Sequence, residues 1–441
     1  MKHKLIFAVA VILSCKGLQA QTPMSLRNCV ETALNNNFDV QQRALQAQSD
    51  EANWKQSKLN RFPDLNATLG HDFNQGRNID PFTNQPVTQS FNSAGYGIGS
   101  NVVLFNGFAI HNNIKQNAYT FKAAQMDLQQ EKDNLTINVI LAYLNVLSSS
   151  DQLTQAQNQV QLTLKQVERL QVLDGQGAIK PSDLTDLKGQ YANDQLSIIS
   201  AQNALVTAKV TLSKLMNVMY NKNLTVEQLD PVLFADVYSV TADSIYEVAL
   251  KNLALVKAAD YRIKSASQAV KVARGQLYPT LNFGANASTR YSSVAMLNNN
   301  KINYTDQLNN NLYYSYGFSM RVPIFNALQQ RNRVKQARIQ LKTRELASVN
   351  ITTQLNQDIN QAYENMSAAS DRYKTTMEQV RAYEESFKAA NARFQEGVGT
   401  PIDYLTAKNN LDRSNISLII ARYDYVLRSK ILDYYQGNAL W

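Results

Sequence analysis

The sequence predicts a mostly helical protein with four β-strands per chain, built from one duplicated unit of helix, β-hairpin, long helix and helix. Three observations predict it. The chain matches itself at a nearly constant offset, it holds two very long runs without Gly or Pro, and four segments alternate between apolar and polar residues.

Residues 31–66, with Ala33-Leu34, Asn36, Val40, Pro63 and Leu65, map without a gap onto 247–282, with Ala249-Leu250, Asn252, Val256, Pro279 and Leu281. Later landmarks stand at an offset of 220 instead of 216: Phe105-Asn106 meets Phe325-Asn326, Ala142-Tyr143 meets Ala362-Tyr363, and Gly177…Pro181-x-Asp183 meets Gly397…Pro401-x-Asp403. An insertion must therefore lie between Asn282 and Phe325. A repeat of this extent sets the whole architecture. It divides the chain into a first half over 21–235 and a second over 236–441, behind residues 1–20.

Those first residues read as an export signal. Lys2, His3 and Lys4 precede an apolar run from Leu5 to Leu13 and the small-residue site Leu18-Gln19-Ala20. Ile12-Leu13-Ser14-Cys15 also resembles an acylation box, which would make Cys15 a lipidation site, although Leu13 is bulky for one. After cleavage at Ala20 only Cys29 remains, so no internal disulfide can form. No later segment is apolar for 18 residues, so the mature chain offers no spanning helix. The formal charge of +9 falls to +6 without Lys2, Lys4 and Lys16. The remaining charges are scattered, with no basic stripe for nucleic acid.

The first half opens with a helix over 25–61, followed by strands at 64–76 and 91–104, a long helix over 107–174 and a helix over 182–217. The second half repeats this with a helix over 243–277, strands at 280–291 and 312–323, a long helix over 326–396 and a helix over 402–436. In the second long run, apolar residues from Ile351 through Leu355, Ile359, Met366, Tyr373, Val380 and Phe387 to Phe394 keep close to the helical period of 3.6. Such a helix spans roughly 100 Å, and each shorter one about half of that, so two short helices end to end match one long helix. Gly177 and Gly397 suit helix ends, and Pro181 and Pro401 suit the following starts.

The strands show period two. Leu312, Tyr314, Tyr316, Phe318, Met320 and Val322 alternate with Tyr313, Ser315, Gly317, Ser319 and Arg321; Ala94, Tyr96, Ile98, Val102 and Leu104 form a second apolar row. The lengths fit tilted transmembrane strands, and Phe62, Phe105, Tyr278 and Phe325 at the helix-side ends fit an interfacial aromatic girdle. The far ends are joined by Asn-rich stretches over 77–90 and 292–311, which read as exposed loops. Four strands cannot close a barrel, and an open edge is untenable in lipid. The chain must assemble, two copies giving eight strands and three giving twelve.

This duplicated unit resembles the outer-membrane efflux protein (TolC) family over residues 25–437. The marks are Gly397-x5-Asp403-x-Leu405, its counterpart Gly177-x5-Asp183-Leu184, and Pro323-Ile324-Phe325-Asn326. The resemblance implies a homotrimer, with a twelve-stranded barrel in the outer membrane continued by a periplasmic α-helical barrel. It also implies docking of a periplasmic adaptor and an inner-membrane pump at the tip turns Gly177, Pro181, Gly397, Gly399 and Pro401. Aspartates just after the turns line the family's constriction. Asp403 matches the first such position, Thr406 replaces the second, and the first half carries Asp183 and Asp186. Gly399 stands where relatives often have a basic residue.

By themselves, Asp183 and Asp403 also fit a first helical turn, where the helix dipole favours a carboxylate. Catalysis finds no support. His71 and His111 lack metal-ligand spacing with Cys29 or any acidic cluster, and Gly95-x-Gly97-x-Gly99 lies within a strand and lacks a following Lys-Ser/Thr. The expectation is a non-enzymatic outer-membrane exit channel for small molecules, without cofactor or metal and gated at its helical tip. Type I protein secretion and a non-channel periplasmic coiled-coil tether remain as alternatives.

Overall fold

The computed structural model describes residues 23–229, 240–298 and 300–438; the expected signal segment and Cys15 lie outside them. In chain order the elements are α1 (Leu26–Asn36), α2 (Phe38–Leu59), β1 (Asn66–Asn74), β2 (Asn78–Ile79), β3 (Pro86–Val87), β4 (Phe91–Phe105), α3 (Ala109–Gly175) and α4 (Pro181–Leu215). They continue with α5 (Ala242–Asn252), α6 (Ala254–Gly275), β5 (Thr280–Ser292), β6 (Met296–Leu297), β7 (Asn300–Lys301), α7 (Tyr304–Asn310), β8 (Tyr313–Arg321), α8 (Gln329–Gln395) and α9 (Pro401–Gln436). Helices dominate and four strands form one sheet, as the sequence predicts. The long helices α3 and α8 each run 67 residues without interruption.

The expected helices over 25–61 and 243–277 are each two helices instead of one. The breaks fall at equivalent positions. Asn37 is extended at φ −67° and ψ 128°, and Leu253 at φ −64° and ψ 136°. At Asn37 the cause is legible: its Oδ1 accepts from the N–H groups of Asp39 (2.9 Å) and Val40 (3.3 Å), capping a new helix. Leu253 has no such side chain, so its break follows from packing around it and leaves no local signal. Upstream, Ser25 and Thr241 cap α1 and α5 by accepting from Asn28 N–H and Ser244 N–H.

Two compact units emerge, and each draws on both repeats. One gathers Met1–Leu45, Met126–Lys257 and Ile351–Trp441; the other gathers Gln46–Gln125 and Ala258–Asn350. The first is helical and holds three hydrophobic clusters. One surrounds Cys29, Val139, Tyr143 and Leu212, and the buried Tyr143 hydroxyl lies 2.7 Å from the Glu227 carbonyl and 3.1 Å from that of Met24. Burial pushes the Cys29 thiol up to about 11, making it an inert core residue. A second cluster surrounds Ile245, Leu355, Ile359 and Leu432. The third belongs to the tip described below.

The second unit carries the antiparallel sheet in the order β1-β4-β5-β8. Its helical segments pack through stacked rings, Trp54 on Phe121 at 5.8 Å and Tyr119 on Tyr261 at 6.3 Å. At the corner between β4 and α3, Gly107 adopts φ +63°, and a Cβ there would lie 2.3 Å from the Gly275 carbonyl oxygen. No larger residue fits that approach.

The stretches read as exposed loops hold further structure. Residues 77–90 contain the β2–β3 hairpin, with Asp80 buried beneath it. Residues 292–311 contain the β6–β7 hairpin and α7, a helix without sequence signal in an Asn-rich segment. Gln307 anchors α7 from full burial: its Oε1 accepts from Ser292 N–H at 2.8 Å, and its Nε2 donates to Ser292 O and Ile302 O.

Candidate pore-lining sheet and helical tip

The ladder assigns the paired residues of the four-stranded sheet to its two faces. Asn66, Gly99, Asn286 and Ser315 lie side by side across all four strands, as do Ala67, Ile98, Ala287 and Tyr314 on the other face. Extending this register gives one face with Leu69, Phe73, Tyr96, Val102, Phe283 and Phe318. The opposite face is mostly Asn, Ser, Thr and Gly, with Phe91, Val103 and Tyr313 among them and Asp72, Arg290 and Arg321 as its charges. The apolar face is uncovered in the single chain: Leu69 is 77% exposed, Phe318 72% and Tyr316 82%. An uncovered apolar sheet of this kind has no place in water. Gly95, Gly97 and Gly99 sit on the polar face, and His71 sits on the apolar one.

One bulge revises the expected apolar row. The register shifts between Val103 and Phe105, so Phe105 rather than Leu104 stands opposite Leu281. The helix-side aromatics Phe62, Phe105, Tyr278 and Phe325 are all exposed. The strands also stop short of the expected 312–323 span: β8 ends at Arg321, before Pro323, which has no N–H to donate. Among the described residues, both outer strands, β1 and β8, have one edge without a strand partner.

The helical tip lies in the first unit. Gly177 (φ +69°) and Gly397 (φ +74°) turn the chain after α3 and α8, and Pro181 and Pro401 begin α4 and α9. Thr400 caps α9 by accepting from Asp403 N–H at 3.2 Å, while its hydroxyl donates to Asp403 Oδ2 at 2.7 Å. Asp183 receives a 3.3 Å bond from the Ser182 hydroxyl. Asp183, Asp186 and Asp403 each lie in or just after a first helical turn. Among the described residues, no hydrogen bond or ion pair joins any two of them.

Gly399 gains a reason that sequence reading missed. A Cβ there would lie 3.0 Å from Phe394 N and 3.1 Å from Arg393 C, against the last turn of α8. The chain passes too close for a basic side chain to leave from this position without rearrangement. Instead, Arg169 of α3 donates to the Gln395 carbonyl and ties the two tips together. Beneath them, Val167, Leu170, Leu184, Leu187, Phe394 and Tyr404 form a buried cluster, with the Phe394 and Tyr404 rings stacked at 4.8 Å.

Behind Tyr404 lies a buried ionic group that the sequence did not single out. Lys408 Nζ donates to Asp194 Oδ2 (3.0 Å) and Asp412 Oδ2 (2.7 Å). Asp194 also accepts from Thr163 (2.6 Å) and Gln190 (2.6 Å). The only available signal was the i, i+4 pairing of Lys408 with Asp412, which ordinarily marks a solvated helix face.

A sheet apolar on one face, polar on the other and open at both edges is the geometry of a β-barrel segment awaiting further strands. The class is a β-barrel membrane protein that also carries long helical hairpins. The sequence profile described as "Outer membrane efflux protein" matches residues 29–218 and 245–438, one segment in each repeat, and the chain belongs to that family. Its members are outer-membrane channels rather than enzymes. The outer membrane efflux protein BepC of Brucella suis biovar 1 is 22% identical over 431 residues, covering 97% of this chain and 89% of BepC. The crystal structure of CusC superposes with a TM-score of 0.80 at 16% identity, covering 94% of this chain and 92% of that one. The outer membrane protein VceC from Vibrio cholerae gives a TM-score of 0.78 at 15% identity, covering 94% of this chain and 97% of VceC. No helix among the described residues is long and apolar enough to cross a membrane.

Proposed function

We propose that this chain is the outer-membrane exit channel of a tripartite efflux system, passing small molecules from an inner-membrane pump and a periplasmic adaptor to the outside. The observation that carries this reading is the two-faced sheet with two open edges. Three copies would pair β8 of one with β1 of the next and close twelve strands, apolar outward and Asn/Ser/Gly-lined inward. The halves 21–235 and 236–441 are then two staves of one wall, and Phe62, Phe105, Tyr278 and Phe325 form the girdle at one membrane surface.

Asp183, Asp186 and Asp403 form the constriction, and the turns at Gly177, Pro181, Gly397, Gly399 and Pro401 dock the adaptor. Carboxylates gathered by threefold symmetry favour cations at a narrow pore. The adaptor opens the tip by making better contacts with the open arrangement, since a ligand shifts only an equilibrium whose states it binds unequally.

Planar-bilayer recording with the purified protein tests this reading. The native channel should conduct and prefer cations, and Asp183→Ala with Asp403→Ala should weaken that preference. Unchanged ion selectivity in the double variant would remove those aspartates from the gate. A soluble species that never enters the bilayer would overturn the channel itself.

A further inference from the structure

Where the last turns of α9 approach the break between α5 and α6, the first unit contains a cavity of about 480 Å³. That volume lies within the range of small-molecule sites, roughly 300–1,000 Å³. It lies at a joint where the two repeats differ. In the first half the equivalent joint is bridged by side chains: Asn37 Nδ2 donates to Leu215 O at 3.4 Å, and Asn217 Nδ2 donates to Asn36 O at 3.0 Å. In the second half Leu253 replaces Asn37 and cannot make such a bond. It lines the cavity instead.

The lining has a definite chemical character. Ile137, Leu255, Ile351 and Ile431 supply an apolar wall, and α9 adds the rings of Tyr434 and Tyr435, whose centroids are 5.2 Å apart. Tyr434 is held in place because its hydroxyl exchanges hydrogen bonds with the Gln130 amide, at 3.0 and 3.3 Å. Asp358 is the one charged residue in the lining. Burial and then the charge of Asp358 push the Tyr435 phenol up to about 12, so the ring stays neutral beside the carboxylate. Tyr434 belongs to the margins of two hydrophobic clusters at once, so the cavity opens where those two cores meet.

We propose that this cavity binds amphipathic organic monocations, with the apolar body against the isoleucine and leucine wall and the positive centre beside Asp358 and the tyrosine rings. Carboxylate and aromatic face both attract a cation, and the cation loses less hydration when its charge is spread over an organic group. An anion would meet an uncompensated carboxylate. A neutral molecule of the same size would gain only the apolar part.

The test uses the full-length protein in detergent micelles, titrated calorimetrically with tetraphenylphosphonium against empty-micelle blanks. Triphenylphosphine oxide serves as the neutral probe of similar bulk. The native protein should bind the cation saturably and more tightly than the oxide. Asp358→Asn should weaken the cation about fivefold and leave the oxide unchanged, the scale expected for one partly exposed charge contact with aromatic support. Asp358→Glu should restore cation binding, and Leu255→Trp, which fills the cavity, should weaken both probes. Cation binding unmoved by Asp358→Asn, equal affinity for the two probes, or no saturable binding above the blank would each overturn the proposal. Asp358 lies exposed on α8, so its substitution does not threaten the fold. Binding is read without conduction, so this result stands apart from the channel reading.

Discussion

Lys408 is 1% exposed and shares its charge between Asp194 and Asp412, which leaves one excess negative charge inside the helical tip. The groups facing it are Gln159 and Thr163 of α3, Gln190 and Asp194 of α4, and Tyr404 and Asp412 of α9; the buried Tyr404 hydroxyl has no hydrogen-bond partner among the described residues. Burial is the largest influence on Asp412 and raises its carboxyl above the ordinary value, against the pull of Lys408. A carboxyl with a raised folded pKa holds its proton more tightly in the folded chain. Its charged form therefore costs stability at neutral pH, and that cost disappears as pH falls below the unfolded value of about 3.9. Asp412→Asn should accordingly melt above the native protein at neutral pH, with the gap closing on acidification toward about pH 4. Lys408→Met should do the opposite at neutral pH, because two buried carboxylates then lack a counter-charge at a cost of about 3–5 kcal/mol. Thermal unfolding followed by circular dichroism across pH checks both, and a gap that widens in acid would refute the assignment. None of this was legible from spacing alone. A lysine with an aspartate four residues on reads as a surface pair, and only the approach of Asp194 from a distant part of the chain buries it.

At the scale of elements, the repeat made most of the architecture readable, since helix period, strand period and turn residues all recur at fixed offsets. What escaped were features set by close approach. The break at Leu253, the bulge before Phe105 and the helix α7 each depend on neighbours distant in sequence. The corner residues Gly107 and Ala327 illustrate the same point. They are equivalent, and both hold left-handed backbone, at φ +63° and +50°. Gly107 meets another backbone, that of Gly275, whereas Ala327 is exposed. Gly107→Ala therefore adds a steric clash to the roughly 1–2 kcal/mol of left-handed strain, while Ala327→Gly relieves strain of that size. The two substitutions should move the melting temperature in opposite directions. Equal and small effects would mean that the corner relaxes freely.

For the whole molecule, the decisive property is that the two faces of one sheet suit different solvents. Phe318 lies on the apolar face with Phe283 beside it at a ring distance of 5.1 Å, and Ser315 lies on the polar face next to Asn286. Phe318→Arg should reduce insertion into lipid vesicles at a cost of about 2–4 kcal/mol near the bilayer midplane, whereas Ser315→Arg should insert normally. Similar insertion of both would mean that the faces have been assigned the wrong way round. The open edges of β1 and β8 carry a consequence for inheritance. If three copies close through these edges as proposed, a chain damaged along only one of them can still join a neighbour through the other and then block closure of the ring. If such a chain is made in equal amount with the sound one and they mix at random, only about one-eighth of three-membered rings contain three sound copies. Edge lesions in this protein should therefore behave as dominant, and lesions that abolish folding altogether as recessive.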